Sequence, residues 1–519
     1  MANKTLFASM IGALLPRPDT ENREAAPAYG YTPRHKLAQL AVTGSLNATF
    51  YASAREQLED VLAVAREVEP AFLAKAAIYG RERGHMKDMP ALLLALLTVL
   101  GPDEFRAAFG RVVDNGKMLR NFVQIIRSGA VGRKSLGTRP KRLVTDWLAQ
   151  ASDIEILRAA IGQSPSLADV IKMVHPKPAD PRRAALYGYL LSKPHDAGLL
   201  PDEIRAFEAF KSDPLAPVPD VPFQMLTALE LTREHWAAIA AKAGWHMLRM
   251  NLNTLARHGA FEVDGITAMV AARLKDAEAI GKAKSFPYQL MAAAVAVTGQ
   301  VPTIVRDALH DAMEIAVANV PDIAGKVVVC PDVSGSMRSP VTGYRLGATS
   351  AVRCVDVAAL VAAAFLRQSR DVRVLPFEQR VVDVKVDRRD TILTNAERLA
   401  AIGGGGTNCS APLERLNADR TEVDLVVFVS DNQSWVESRR SAETGTGMMR
   451  EWAKLKARNP GAKLVCIDIQ PFGTSQALER SDVLNVGGFS DAVFEIVAAF
   501  AAGTLGPEHW VGEIEKVVL

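Results

Sequence analysis

The chain reads as an all-α repeat domain followed by a doubly wound α/β domain. Three observations predict this. Residues 1–321 form a succession of Ala/Leu-rich helical patterns with almost no strand signature. From residue 322 to 519, apolar strand-like runs alternate with helical ones, which implies a parallel sheet covered on both faces. Turns after two of those runs carry carboxylates and hydroxyls in one ordered set. At 519 residues, two or more domains are expected. The chain is 49% hydrophobic and 23% charged, as soluble globular proteins are. Its net charge of +3 is too close to neutral to indicate a partner.

In the first domain the helical runs cover 54–68, 71–83, 89–100, 103–113, 119–129 and 139–151. Short breakers such as Glu69-Pro70, Gly101-Pro102, Asn115-Gly116 and Ser164-Pro165 separate them. Helices joined by short loops pack antiparallel, and a long run of such pairs makes an α-solenoid. No clean repeat of fixed period is present, so the predicted solenoid is degenerate. Residues 208–222, with Pro214, Pro217, Pro219 and Pro222, read as a loop between two sets of helices. The apolar run from Thr5 to Leu15 faintly resembles a signal-peptide core. It meets Pro16-Arg17-Pro18 without a small-residue cleavage site, so it reads as a segment docking on the core. Residues 92–100 are too few to span a bilayer, and no membrane partner is expected.

Charge in this domain is uneven. Between Arg111 and Arg142 stand nine basic residues, namely Arg111, Lys117, Arg120, Arg127, Arg133, Lys134, Arg139, Lys141 and Arg142, against the single acid Asp114. A solvated basic face is one reading of such a run. The lack of interleaved acids favours the other, a strip that neutralises a phosphate backbone and releases its counterions. Lys172 and His175 add a smaller cluster downstream; a lone His is more often structural.

In the second domain, strands are predicted at 326–331, 372–377, 381–386, 425–430 and 463–469, and helices at 355–368 and 492–501. The four cysteines, Cys330, Cys354, Cys409 and Cys466, include no C-x-x-C pair, and a reducing cytoplasm is expected. Asp332-Val-Ser334-Gly-Ser336 follows the first strand. Gly403-Gly-Gly-Gly-Thr407-Asn408 is a glycine-rich loop, and Ser430-Asp431 ends another strand. Carboxylates and hydroxyls are the oxygen ligands that a hard divalent cation prefers. Loops at the carboxyl ends of parallel strands are where open α/β sheets bind ligands. The ordered triple resembles the metal-ion-dependent adhesion site of the von Willebrand factor A fold. That resemblance implies Asp332, Ser334, Ser336, Thr407 and Asp431 as ligands of a divalent metal cation, Mg2+ being the expected one. A vestigial turn that keeps the shape without binding metal is the alternative.

The whole chain resembles the TROVE-domain family, the Ro RNA-binding proteins. The residues that carry this are Asn3-Lys-Thr-Leu-Phe-Ala-Ser, Ala26-Pro-Ala-Tyr, Leu40-Ala-Val-Thr-Gly-Ser, Asp88-Met-Pro-Ala-Leu, Asp169-Val-Ile-Lys-Met-Val-His-Pro-Lys-Pro, Met250-Asn-Leu-Asn-Thr, Phe286-Pro-Tyr-Gln and the metal triple. The resemblance implies a ring of HEAT-like helical repeats closed by a von Willebrand factor A domain, in a monomer. It implies binding of small Y-like RNAs on a basic outer surface, and of single-stranded 3′ ends of structured or misfolded RNAs in a central hole. A partner exoribonuclease, in RNA quality control or processing, is part of the same picture. Within it His175 and Arg158 belong to the RNA face, but a second basic position one turn beyond Arg158 falls on Gly162. Asn408 stands where many relatives carry Asp.

A phosphotransferase using Asp332 would need a second nearby carboxylate, and Val, Ser, Gly and Ser follow it instead. No Walker lysine loop, H-E-x-x-H or G-x-S-x-G occurs, so no enzyme activity is expected. A metal-dependent protein-interaction module acting through the A domain is the alternative function.

Overall fold

The structure is a computed structural model that describes residues 15–43, 46–213, 215–283, 285, 287–344, 352–434, 445–488, 491–506 and 508–519. Of the apolar run at the N-terminus, only Leu15 lies within them, where it packs on the core of the α/β domain. The chain packs as two compact units. One comprises residues 1–67, 273–297 and 306–516; the other comprises 68–272, 298–305 and 517–519.

The first unit holds the strands β1 (Thr20–Glu21), β2 (Pro27–Gly30), β3 (Lys326–Pro331), β4 (Asp371–Val374), β5 (Leu425–Ser430), β6 (Lys463–Asp468), β7 (Thr474–Ser475) and β8 (Val483–Gly487). Five of them form a parallel sheet in the order β4-β3-β5-β6-β8. The near-continuous apolar sequences of β3, β5 and β6 follow from burial on both faces. Alternate residues Val328, Cys330, Val426, Phe428, Leu464 and Cys466 share a core with Met448, Trp452 and Leu455 of the helix Gly447–Arg458. The helix Cys354–Gln368 packs on β3, β4 and β5. The chain runs from β3 outward to β4 and then returns to β5 on β3's other side. The switch point of the sheet therefore lies between β3 and β5.

Two details depart from the sequence expectation. Residues 381–386 do not form a strand; only Val381 makes a bridge, to Phe377. Their alternating valines are interleaved with Asp383 and Lys385 and reach only partial burial. Conversely, β8 was not legible, because Asn485 interrupts its short apolar run. That Asn is buried, and its side chain is satisfied by Ser475, Ala477 and Glu479.

The N-terminal segment belongs to this unit. β1, β2 and β7 make a small antiparallel sheet, with Thr20 opposite Ala28 and Tyr29 opposite Ser475. The helix α1 (Pro33–Thr43) follows and packs on β8. Its His35 ring is buried and pairs through Nε2 with the Asn485 carbonyl at 3.0 Å. Burial lowers the His35 pKa to about 4, so the ring is neutral at pH 7. The helix α2 (Ala54–Glu67) packs on α1.

The second unit is helical. It begins with α3 (Pro70–Glu82), α4 (Asp88–Leu100), α5 (Pro102–Val112), α6 (Gly116–Ser128), α7 (Thr138–Gln150), α8 (Asp153–Ala159), α9 (Leu167–Val174) and α10 (Pro181–Leu190). The contacts α3 with α5, α4 with α6, α5 with α7, α6 with α8 and α7 with α9 recur along the chain. That next-but-one pattern is what stacked helix pairs produce. Asn115, Ser152, Ser166 and Asp180 cap the starts of α6, α8, α9 and α10 with side-chain oxygens. Phe105, Phe109 and Phe122 form one aromatic cluster, with ring centroids 5.6–5.7 Å apart. The proline-rich break is shorter than the sequence suggested, since a helix, Asp202–Ser212, continues into it.

α6 begins hard against α8. A Cβ built on Gly116 would stand 2.0 Å from the Ala159 Cβ, within a backbone that has little room to give. Gly116→Ala should therefore destabilise the helical unit by about 1–3 kcal/mol through overpacking. Thermal melting followed by circular dichroism checks this; an unchanged midpoint would contradict the tight crossing.

Candidate cation site and basic surface

Parallel pairing of β3 with β5 places Pro331 opposite Val429, so the residues after the two strands emerge side by side. Asp332 follows one strand and Asp431 the other. Asp332 is fully buried, and Ser334, Ser336, Thr407 and Asp431 are buried too. The Asp332 carboxylate accepts from the Ser334 backbone N–H at 2.9 Å and from the Ser430 hydroxyl at 2.6 Å. The hydroxyls of Ser334 and Ser336 lie 3.3 Å apart. Ser336 stands near the Asp431 carboxylate and helps to lower its pKa. The glycine loop is tied to the same turn: Gly335 N–H donates to the Gly405 carbonyl at 2.9 Å, and Gly404 N–H to the Val333 carbonyl at 3.2 Å. The Thr407 carbonyl accepts from the Ser434 hydroxyl at 3.2 Å. The structure thus brings the three predicted loops together.

Electrostatics make this site costly as it stands. Burial raises the pKa of Asp332, and the Asp431 charge raises it further. Burial raises Asp431 as well. The opposing influences are hydrogen bonds from Ser334 and Ser430 on one, and from Ser336 and backbone N–H groups on the other. Two desolvated like charges with neutral donors around them are what a divalent cation would relieve. The donor set, two carboxylates with three hydroxyls, fits an oxygen-liganded ion that keeps some water. Among the described residues no three His, Cys, Asp or Glu side chains cluster as metal ligands, so the hydroxyls are essential to any such site.

Sequence reasoning did not single out several supporting residues. Ser430 was quoted in the motif but not given its role of holding Asp332. Glu378 accepts from the Gly405 N–H at 2.9 Å and so fixes the glycine loop. Gln433 donates its backbone N–H to Asp431 at 3.2 Å. Asn408 is turned to the start of the following helix, where its carbonyl oxygen accepts from Ser410. Its amide therefore serves the fold, and this explains why the absence of Asp there leaves the site's shape intact.

The basic residues lie in the helical unit and divide into two classes. Some are consumed by the fold. Arg120 donates to the Pro165 carbonyl at 3.4 Å and to the Ile161 carbonyl. Arg133 donates to the carbonyls of Ser135 at 2.9 Å, Thr98 at 3.3 Å and Leu136 at 2.5 Å. Arg111 makes a two-pronged pair with Glu82, both bonds 2.7 Å long. Gly162 is explained by the same packing. It has a φ of +111°, and a Cβ there would lie 2.6 Å from the Arg120 guanidinium. A side chain there would strain the backbone and displace the Arg120 guanidinium.

The others face solvent. Lys117, Arg127, Lys134, Arg139, Lys141, Arg142, Arg158, Lys172 and His175 are all exposed. They come from α6, the α6–α7 loop, α7, α8 and the end of α9. Arg127 lies against α9 through a 3.0 Å contact with the Met173 sulfur. Arg139 and Arg142 approach Asp103 and Asp146 only at 3.8 and 3.9 Å, between well-exposed groups, so these pairs are weak. Gly137, Thr138, Lys141, Arg142, Thr145 and Asp146 line a shallow hollow at the start of α7. His175 caps α9 in the left-handed conformation, φ 49°, with its N–H bonded to the Ile171 carbonyl at 2.9 Å.

Stability measurements separate the two classes. Arg120→Ala leaves buried carbonyls unpaired and should cost about 1–3 kcal/mol. Lys141→Ala removes only an exposed charge and should stay within about 0.5 kcal/mol. Chemical denaturation of the two variants tests the assignment, and equal losses would contradict it.

Comparison with known proteins gives a consistent result. Residues 326–501 match the Ro60 vWA domain family. The chain is 26% identical over 538 aligned positions to the RNA-binding protein RO60 of Deinococcus radiodurans, covering 94% of this chain and 98% of that protein. It is 22% identical over 248 positions to the RNA-binding protein RO60 of Caenorhabditis elegans, covering 46% of this chain and 37% of that one. The crystal structure of the Deinococcus radiodurans RO (RSR) protein superposes with a TM-score of 0.62 at 23% identity, over 91% of this chain and all of that one. The resemblance to Ro proteins read from the sequence thus holds along nearly the whole chain, in the fold as well as the residues.

Proposed function

We propose that this chain, whose C-terminal domain matches the Ro60 vWA family, is an RNA-binding protein of the Ro kind. The observation that carries the proposal is the exposed group Lys134, Arg139, Lys141 and Arg142 around the start of α7, with Lys117, Arg127, Arg158, Lys172 and His175 on α6, α8 and α9. These side chains are not consumed by the fold, and their charge suits a phosphate backbone. In the finer reading, supported by the family resemblance, Y-like RNA takes this basic surface. Single-stranded 3′ ends of structured or misfolded RNAs then enter a central hole, with an exoribonuclease as partner. Nothing in this reading asks for catalysis by the chain itself.

A second reading concerns the A domain. Asp332, Ser334, Ser336, Thr407 and Asp431 would hold a divalent cation, Mg2+ by preference for hard oxygen ligands, with a position left for water or a partner's acidic group. The buried carboxylate pair is the observation that supports it.

Replacing Lys134, Arg139, Lys141 and Arg142 with Gln should weaken RNA binding and flatten its salt dependence. Each lost phosphate contact removes roughly 0.7–0.9 from the slope of log affinity against log salt. His175→Ala should change that slope less and discrimination between RNAs more. A salt titration on one duplex, with and without a single-stranded 3′ tail, measures both. Identical slopes for wild type and the four-site variant would take these residues out of the interface.

The cation reading predicts that Mg2+ raises the melting temperature of the wild type and leaves that of Asp332→Ala unmoved. At a hundredfold excess over the dissociation constant the gain is about 2.7 kcal/mol. Absence of any shift in the wild type at millimolar Mg2+, with no heat in calorimetry, would make the site vestigial.

A further inference from the structure

We propose that the N-terminal segment completes the cation site, so that binding of a divalent cation and docking of residues 22–51 are thermodynamically linked. This rests on the reading of Asp332 and Asp431 as a cation site and goes beyond it. No signal in the D-x-S-x-S, glycine-loop and S-D motifs points to residues some 300 positions upstream.

The structure ties that segment to the ligand loops by a continuous run of hydrogen bonds. The Gln433 N–H donates to the Asp431 carboxylate at 3.2 Å, and the Gln433 side-chain oxygen accepts from the Arg23 N–H at 2.9 Å. The Asn22 amide donates to the Ser434 carbonyl at 2.6 Å, while the Ser434 hydroxyl donates to the Thr407 carbonyl at 3.2 Å. The turn that presents Arg23 is itself fixed, because the Asn22 side chain accepts from the N–H groups of Glu24 and Ala26, both at 3.0 Å. Tyr51 approaches from the same segment. Its hydroxyl lies beside Ser336 and near Asp431, and its ring packs edge-on against Phe472 with centroids 5.5 Å apart. Asp431 thus has its side chain oriented through a group held by residues 22–51, Thr407 has its backbone held so, and Ser336 has Tyr51 beside its hydroxyl.

Groups that orient metal ligands change affinity without touching the ion. Linkage then works in both directions: whatever the segment adds to cation affinity, the cation adds to the segment's docking. Tyr51 and Asn22 are positioning residues in this scheme, not ligands.

The test uses the full chain and two readouts. Mn2+ titration followed by electron paramagnetic resonance should show binding weakened roughly tenfold in Tyr51→Phe and in Asn22→Ala. Amide hydrogen exchange across residues 22–31 of the wild type should slow when Mg2+ is added, and should not respond in Asp332→Ala. If wild type binds no Mn2+, the cation reading falls and this inference with it. If it binds, but exchange of residues 22–31 is unaffected, the linkage alone is overturned; the same holds if both variants keep wild-type affinity. The exchange measurement needs no variant of the segment, so misfolding of Tyr51→Phe or Asn22→Ala would not shelter the proposal.

Discussion

Two buried carboxylates brought close together are the constraint around which the A domain is arranged. Parallel pairing of β3 with β5 brings the ends of these strands together at the switch point of the sheet, and Asp332 and Asp431 follow them. Neither carboxylate can be moved apart without breaking the central pairing. The surrounding groups are correspondingly devoted to them. Ser334 and Ser430 hydrogen-bond Asp332, Gln433 hydrogen-bonds Asp431 with Ser336 nearby, and Glu378 fixes the glycine loop beside them. Neutral donors lower the cost of buried charge without removing it. A bound divalent cation would offset what those donors leave.

The helical unit follows a different logic, in which positive charge is partitioned. Arg120 and Arg133 close loops by donating to carbonyls that would otherwise be buried unpaired. Arg's five donors on a rigid plane suit that work. The lysines of the same stretch, Lys117, Lys134 and Lys141, remain on the surface, as a strongly hydrated ammonium prefers. A charge count along the sequence cannot make this distinction, since it registers formal charge but not what each guanidinium touches. The usable electrostatic footprint is thus smaller than nine residues in a row suggests, and it is centred on the start of α7.

Much of the architecture was legible because it follows from periodicity. Continuous apolar runs at 326–331, 425–430 and 463–468 are what strands buried on both faces require, and the helices between breakers appeared within a few residues of their predicted bounds. The convergence of the three loops around Asp332, Thr407 and Asp431 was legible because each follows or precedes a strong structural signal. What escaped was long-range pairing with little local signature. β8 is held by a buried Asn whose partners lie several residues away. Residues 381–386 alternate as a strand should, but only Val381 makes a bridge, to Phe377. The small sheet of β1, β2 and β7 joins segments more than four hundred positions apart, and two-residue strands carry no period at all.

The two functional readings draw on different parts of the molecule. Every exposed cation assigned to RNA belongs to residues 68–272, and every oxygen assigned to the cation belongs to residues 306–516. Loss of the metal ligands therefore need not alter phosphate contacts, and neutralising the lysines of α7 need not alter ion affinity. Distant sites without shared partners contribute independently. A measured coupling between Mg2+ and RNA would accordingly demand a physical connection that neither constellation supplies by itself. It would have to reach the ligand loops through groups that touch them, such as Asn22, Arg23 and Tyr51 of the N-terminal segment.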